Sequence, residues 1–505
     1  MADWEAGQAK KAVTLTAAAL LATAAMALGQ ESVRLTLDGA IDLARENNPT
    51  FLRTQNNEAA VDWGVREATS NLFVPSLTAN AGATYRAPGQ SRIGTINTGV
   101  IEQGALYYSN YNISARYSLN GNTVFGLSSA KAEQNAARAG TRAAEFLMES
   151  LVTLQYMTVL RARDRVEVAL RQVERSIGNL EIAQARVDAQ AAIITDAKQA
   201  QVQLGRDSVA LLIAESAQRV GTLELLEIVG LDLGAEVELV SQFDVFLPSW
   251  SSTELLSIAL ESHPGLAAFE ASEGARRANL RQARGQYFPS VTLSGTWSGF
   301  TQQIENGAFL VASAERGAAG SLSSCQTFNS ISAGLTTPLS GFPQDCGTGE
   351  LSAEARDAIL SGNEVFPFGF TSEPFRATLS VSIPIFNGFS RERQVSQAAN
   401  QLEDAEYSRR AEELRLRTAV TSAYDALMTA FNVVQVEERN REVAAEQLEL
   451  SRQRYTLGAD NFLVLLDAER VMAEGERAYL DGLYAFHIEL ANLENAVGQR
   501  LRPEE

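Results

Sequence analysis

Two long stretches of this chain contain no proline. Of its twelve prolines, none lies between Pro88 and Pro248, and none lies between Pro384 and Pro503. Proline removes a backbone donor and clashes with the preceding helical turn, so proline-free stretches can hold long helices. In the second stretch apolar residues recur at alternating steps of three and four, which lines one narrow helical face; they are Leu483, Phe486, Leu490, Leu493 and Val497. The sequence predicts two matched regions of long helix.

Four short segments alternate apolar and polar residues, a pattern typical of strands with two unlike faces. They run from about Pro75 to Tyr85, Tyr111 to Leu119, Val291 to Trp297 and Phe375 to Ile385. An Asn-Gly pair follows the second and the fourth segment and marks the change to helix. Strands of about ten residues with one apolar face fit the hydrocarbon thickness of a bilayer.

The order of elements occurs twice, which indicates an internal repeat. His263 and Pro264 stand 215 residues after Asn48 and Pro49. Each half reads as helix, two strands, long helix, turn and long helix. We therefore divide the chain into a first repeat at 30–240 and a second at 241–505, and we interpret 301–374 as a surface loop inserted between the last two strands.

Four strands cannot close a barrel by themselves. In lipid an open sheet edge leaves backbone groups without partners, at several kcal/mol each, so closure requires further copies of the chain. Two copies give eight strands and a filled interior, whereas three give twelve strands and room for a lumen. The strand pattern alone leaves both possibilities open.

The N-terminus indicates export. Lys10 and Lys11 precede an apolar run from Ala12 to Leu28, which favours a secretory signal peptide at residues 1–29; a retained anchor helix is the alternative. The only cysteines, Cys325 and Cys346, lie in a Gly/Ser-rich region. In an exported protein they favour one disulfide that closes a surface loop, the alternative being two free thiols.

Composition and motifs argue against several function classes. The net charge of −19 argues against nucleic acid as a partner, because phosphates need a basic surface. The sequence contains no glycine-rich phosphate loop, no metal-ligand cluster and no nucleophile beside a histidine. We therefore expect no catalytic residues, no cofactor and no metal site; a hydrolase that uses paired carboxylates lacks a clustered constellation.

With these features the chain resembles the TolC family of outer-membrane efflux and secretion channels, from Leu35 to about Leu501. The resemblance implies an α+β membrane protein: a homotrimer whose twelve-stranded β-barrel, four strands per chain, is embedded in outer-membrane lipid and continuous with a long α-helical barrel in the periplasm. It also implies a passive exit duct of a tripartite efflux pump or a type I secretion system, which a periplasmic adaptor and an inner-membrane transporter dock. A secreted or periplasmic coiled-coil structural protein without a pore is the alternative.

The same resemblance implies site residues at the turns between the long helices. Family members close the tunnel there, and the matching positions are Thr195, Asp196 and Tyr455. We hypothesise a latch in which the Tyr455 hydroxyl donates a charge-assisted hydrogen bond to Asp196. Two solvated residues near a turn are the alternative.

Asp467 resembles the constriction acid of the family, which in a trimer becomes a ring of three carboxylates that favours cations. An exposed helix charge is the alternative. The chain departs from the family pattern at Val464, the place of a companion acid, and at Asp460, where some members carry a basic residue. Leu457 and Gly458 are expected to shape the tip that the adaptor contacts.

Overall fold

The computed structural model describes residues 33–92, 100–232 and 237–502. The signal peptide predicted at 1–29 lies outside these ranges. The described chain forms two compact units. The helical unit holds the residues up to Val65, Ser129–Leu280 and the residues from Ser396 onward; the sheet unit holds Arg66–Ser128 and Arg281–Val395. Both predicted repeats contribute residues to both units.

The helices of the described ranges agree with the proline-free stretches. Side chains of Thr36, Ser251 and Asn461 accept hydrogen bonds from first-turn N–H groups and so fix three helix starts. Gly230 and Gly498, with φ of 83° and 88°, each end a helix in a conformation that favours glycine. The helices are α1 (Leu37–Asn47), α2 (Pro49–Phe73), α3 (Gly121–Asp188), α4 (Ile194–Val229), α5 (Ser252–Ser262), α6 (Pro264–Arg284), α7 (Gly307–Ala333), α8 (Ala353–Asn363), α9 (Ser390–Thr456) and α10 (Phe462–Val497).

In the helical unit, α3 packs between α4 and α10, and α10 packs between α3 and α9. Gln155 of α3 donates to the Gly221 carbonyl of α4 at 3.0 Å, and Arg165 of α3 bonds Asp481 of α10 at 3.0 Å. On the other side of α10, the Arg441 guanidinium of α9 lies 4.1 Å from the centroid of the Tyr479 ring. The neighbour order is therefore α4, α3, α10, α9.

Two apolar clusters hold this arrangement. One joins α1, α3 and α4 through side chains with almost no exposure, including Ile41, Tyr156 and Leu225. The other joins α5, α9 and α10 and includes Leu255, Leu427, Phe486 and Leu490. Burial of such side chains stabilises a fold by roughly 1.5–3 kcal/mol each.

A short parallel strand pair, which the sequence analysis did not predict, also belongs to the helical unit. It consists of β1 (Val33–Leu35) and β6 (Val237–Leu239). The buried Tyr156 hydroxyl donates to the Leu35 carbonyl at 2.8 Å and accepts from the Ser241 N–H at 3.3 Å. One tyrosine of α3 thereby fixes both chain segments against the helices.

The sheet unit contains the four predicted strands, with different lengths. The second and third are longer than predicted and the fourth ends at Ser382, before the apolar residues Ile383 and Ile385. In the described ranges the strands of this unit are β2 (Ser76–Arg86), β3 (Gly89–Arg92), β4 (Val100–Gln103), β5 (Leu106–Leu119), β7 (Ser290–Ile304), β8 (Thr371–Ser372) and β9 (Arg376–Ser382). β3 and β4 form a separate hairpin.

The register places the apolar residues of the four main strands on one face. The order is β2-β5-β7-β9, and every neighbour is antiparallel. Ile113 of β5 lies opposite Ala79 on one side and Trp297 on the other. Directly opposite residues share a face of a sheet. Exposed apolar side chains of this face include Leu77, Trp297, Leu293, Leu379 and Val381.

The region 301–374, for which a surface loop was predicted, contains helical segments as well as irregular chain, and most of its side chains are exposed. β7 continues to Ile304, and α7 and α8 follow. Asn306 caps α7 by accepting from the Ala308 N–H at 3.1 Å, and the alanines that follow favour helix. Cys325 and Cys346 form a disulfide with a Cα–Cα distance of 5.7 Å, which ties α7 to the segment after it.

Candidate functional site

Most of the channel-site residues that the sequence analysis named lie in or beside the turns that join α3 to α4 and α9 to α10, whereas Asp467 lies within α10. At the second turn the backbone N–H of Gly458 donates to the Tyr455 carbonyl at 3.0 Å, and that of Ala459 donates to the Arg454 carbonyl at 2.9 Å. Gly458 has φ of 78°, which explains why glycine stands there. Leu457 is 84% exposed and presents an apolar side chain at the end of the turn.

Tyr455 lies inside the helical unit at this turn. It is almost fully buried in a cluster with Ala183 of α3, Ala200 of α4, and Phe462 and Leu465 of α10. The Arg186 guanidinium of α3 lies 4.3 Å from its ring centroid and donates to its backbone carbonyl. Cation–π contacts of this kind contribute about 0.5–2 kcal/mol. Arg186 therefore ties α3 to the end of α9.

The hydrogen bond of the hypothesised latch is not made in this structure. The Tyr455 hydroxyl is buried and has no hydrogen-bond partner among the described residues. Burial raises the pKa of Tyr455, and the negative charge of Asp196 raises it further. Asp196 and Thr195 belong to the first turn of α4, where Thr195 is exposed. The tyrosine contacts Arg186 and Phe462 through its ring.

Asp467 lies on the exposed surface of α10. Its side chain is 61% exposed and bonds Arg470 one turn later at 3.0 Å, while Arg470 also bonds Glu474 at 3.1 Å. Asp460, at the place of a basic residue in some family members, pairs with Arg454 at 3.0 Å within the second turn. The charge that the sequence analysis proposed for a constriction is thus accessible to solvent in a single chain.

A buried polar cluster between α3, α4 and α10 was missed by the sequence analysis. Asn179 of α3 donates to Glu469 of α10 at 2.7 Å, and Arg175 of α3 bonds Glu476 of α10 at 2.6 Å. Asp207 of α4 accepts from Gln172, Ser176 and Gln203. The signal was present in the sequence, because Glu469 follows Phe462 and Leu465 at helical spacing and so falls on a buried face.

Metal and membrane-helix criteria complete the description of the site. Among residues 33–92, 100–232 and 237–502, no group of three or more His, Cys, Asp or Glu side chains has an arrangement that could hold a metal ion. None of the helices in those ranges is both long and apolar enough to pass through a bilayer.

The sequence comparisons find outer-membrane proteins. Residues 347–499 match the family model of the outer membrane efflux protein. The chain is 33% identical over 160 residues to the outer membrane protein OprJ of Pseudomonas aeruginosa. That match spans about a third of each protein, 31% of this chain and 32% of OprJ.

The structural comparisons extend over nearly the whole chain. A membrane protein from Pseudomonas aeruginosa has a TM-score of 0.68 at 19% identity, covering 93% of this chain and 92% of that one. The outer membrane protein VceC of Vibrio cholerae has a TM-score of 0.65 at 15% identity and 92% and 97% coverage. The MtrE outer membrane channel of Neisseria gonorrhoeae has a TM-score of 0.66 at 19% identity and 92% and 89% coverage.

These likenesses agree with the expected location in the outer membrane. Residues 347–499 carry the outer membrane efflux protein domain, and the chain has the fold of outer-membrane channels over its described length, which confirms the resemblance to the TolC family.

Proposed function

We propose that this protein is the outer-membrane exit duct of a tripartite efflux pump or a type I secretion system, assembled from three copies. The observation that carries the proposal is the sheet of β2, β5, β7 and β9, extended by the two-residue β8, which has one exposed apolar face and, among the described residues, no further strand beyond β2 or β9. A sheet of this kind is stable in lipid only when its edges are paired, and three copies supply twelve strands around a lumen.

The directions of the strands favour such closure. All neighbours from β2 to β9 are antiparallel, so the first and last strands of the set run in opposite directions. A second copy that places its β2 beside the β9 of the first therefore continues the antiparallel pattern. Transmembrane barrels are built from even numbers of antiparallel strands in the same way.

The helices at the two sides of the helical unit give independent support. α9 carries exposed apolar side chains seven residues apart, and α4 carries a comparable exposed set. Such stripes are typical of helices that pack against another helix. We propose that α9 of one copy packs against α4 of the next; the stripes are Val436, Val443 and Leu450 of α9, and Val202, Val209, Leu212, Ile213, Val220 and Leu223 of α4.

The site residues receive their roles from this assembly. Three copies of Asp467 form a ring that favours cations, and Leu457 and Gly458 form the end that a periplasmic adaptor contacts. The region of Tyr455, Thr195 and Asp196 closes the duct. In the closed form, Arg186 holds α3 to the end of α9 through its contacts with Tyr455. The duct is passive: an inner-membrane transporter supplies the energy and chooses the cargo.

Cysteine cross-linking in native membranes tests the assembly. In a Cys325→Ser, Cys346→Ser background, Ala79→Cys on β2 is combined in turn with a cysteine at Ala377, Leu379 or Val381 on β9. At least one combination should form disulfide-linked dimers and trimers and no larger species. The matched control joins Ala79→Cys to Ile113→Cys, an opposite pair within one chain, and should remain monomeric on a denaturing gel.

Planar-bilayer recording and extraction behaviour complete this test. The purified protein should require detergent and should conduct ions after reconstitution. A protein that is monomeric in water without detergent, forms no intermolecular links at any of the three β9 positions and shows no conductance contradicts the duct and supports a structural protein without a pore.

A further inference from the structure

Outside the proposed roles, Glu469 and Asn179 line the same small cavity and each has a buried acceptor oxygen without a partner in the described chain. Glu469 is 4% exposed and Asn179 is 6% exposed. Asn179 Nδ2 donates to Glu469 Oε1 at 2.7 Å. The remaining oxygens, Glu469 Oε2 and Asn179 Oδ1, are both buried without a hydrogen-bond partner. An unsatisfied buried polar atom costs about 1–3 kcal/mol, so two together need an explanation.

Neighbouring cations do not satisfy these oxygens. Arg175 Nε lies 3.6 Å from Glu469 Oε2, beyond hydrogen-bond distance. The donors of Arg175 are committed to Gln172 and to Glu476, which it binds at 2.6 Å and 3.2 Å. The buried Asp207 nearby differs, because it accepts hydrogen bonds from three side chains.

We propose that Glu469 carries a proton in this packed state and that its hydroxyl donates to Asn179 Oδ1. A protonated carboxyl offers one O–H donor, and an amide offers one acceptor oxygen and an N–H donor. The two groups then form a cyclic pair in which each donates one hydrogen bond and accepts one. The proton therefore satisfies both orphan oxygens and joins α3 to α10.

The charged surroundings of Glu469 agree with a bound proton. Burial raises the pKa of Glu469, and the negative charge of Asp207 on α4 adds to this effect. The Asn179 hydrogen bond and the positive charges of Arg175 on α3 and Arg452 on α9 act in the opposite direction. On α10 itself, Glu476 neutralises Arg175. The net direction is upward, as expected for a carboxyl removed from water.

This pairing makes the contact between α3 and α10 sensitive to pH, and it rests on the proposed duct for its functional meaning. A raised pKa means that the packed state binds the proton more tightly than a loosened state. The contact is therefore strongest below the ordinary glutamate pKa, and it weakens as the pH rises through the raised value. Each unit by which the pKa of Glu469 differs between the packed and the loosened state changes the ratio of the two states by about tenfold.

Infrared spectroscopy of the detergent-solubilised protein tests the proton directly. The spectrum of the wild type, recorded over a range of pH, minus that of Glu469→Gln, should contain the carbonyl band of an un-ionised carboxyl, shifted in deuterated water, and this band should persist above the ordinary glutamate pKa. Glu474→Gln changes an exposed acid of the same helix and should give no such band. A second variant, Asn179→Leu, removes both hydrogen bonds of the pair and should move the band to higher frequency. The proposal is overturned if the band is absent from both difference spectra, wild type minus Glu469→Gln and wild type minus Asn179→Leu.

Bilayer recording then tests the consequence for the duct. The resting leak of the wild type should rise several-fold from acidic to alkaline pH, whereas Glu469→Gln, which keeps a neutral amide pair, should stay at the low-pH level. An unchanged pH profile in Glu469→Gln overturns the link between the proton and packing. A protein that shows the infrared band but never conducts contradicts the duct and leaves the proton site standing.

Discussion

His487 is a buried histidine at the contact of the two apolar clusters. It is 2% exposed, its ring lies 5.7 Å from that of Phe243 and 5.3 Å from that of Phe486, and its Nε2 has no partner in the described chain. Burial, assisted by the positive charge of Arg502, lowers its pKa from 6.5 to about 4. The folded state therefore holds this histidine in its neutral form.

The lowered pKa predicts acid sensitivity of the helical unit. The folded state binds fewer protons than the unfolded state between the two pKa values, so stability falls as the pH drops from about 6.5 towards 4. The shift corresponds to a loss of about 3 kcal/mol from this one group. His487→Leu should remove that part of the loss, measured as the difference in melting temperature between neutral and acidic buffer. An equal acid-induced drop in the melting temperature of the wild type and of His487→Leu would contradict this prediction.

Single residues show where sequence reasoning reaches its limit. The turn at Gly458 could be predicted, because a left-handed backbone conformation favours glycine. The environment of Tyr455 could not, since Arg186 is distant in sequence and only the approach of the ends of α3 and α9 at the turns brings the guanidinium over the ring. Similarly, the spacing of Glu469 after Phe462 and Leu465 indicates a buried face, but its partner Asn179 is distant in sequence and only the packing of α3 against α10 brings the two together.

At the scale of elements, Gly121 and Gly285 form a close backbone contact within the sheet unit. Gly121 is the first residue of α3, and Gly285 follows the last residue of α6. A Cβ on Gly121 would overlap the carbonyl of Gly285, and a Cβ on Gly285 would lie 2.7 Å from that of Gly121. Backbone atoms cannot move aside as a flexible side chain can. The contact therefore requires glycine on both sides.

Gly121→Ala should destabilise the protein by about 1–3 kcal/mol or more through overpacking. We expect a reduced yield of folded protein in the membrane fraction and a lower unfolding temperature in detergent. Gly140→Ala is the matched control, because it lies in the same helix and its Cβ would meet no atom within 4 Å. It should be neutral or slightly stabilising; equal behaviour of the two variants would show that the backbone contact is unimportant.

The elements differed in how well they could be predicted. Strands β2, β5, β7 and β9 leave a clear alternation, since one face of each is apolar and the other polar. The helices of the insertion leave no such pattern: α7 is mostly exposed, so nothing selects an apolar face, and its serines and glycines are typical of loops. The short β1–β6 pair is held by Tyr156 and Ser241, which no local pattern reveals.

At the scale of the whole molecule, the exposed stripe of α9 predicts an assembly contact. Leu450→Glu and Val443→Glu place a carboxylate where the proposed duct buries an apolar side chain, and lose about 2 kcal/mol of burial per contact before any cost of the charge. Heat-resistant trimers should become sensitive to mild heating in detergent, as seen by size-exclusion chromatography. Ala445→Glu adds the same charge elsewhere on α9 and should leave the trimers intact, whereas equal loss in all three variants would contradict a specific stripe.

The outer strands of the sheet, β2 and β9, run in opposite directions, and this affects how many copies can join. Because every copy brings an even set of up and down strands, rings of two, three or four copies would all join without a mismatch. Backbone pairing alone therefore does not determine the number of copies. In the proposed assembly, that number depends on the angle at which the helices of neighbouring copies pack. Changes in the size of side chains along those helices, far from any lipid, are therefore the ones able to widen or narrow the bore.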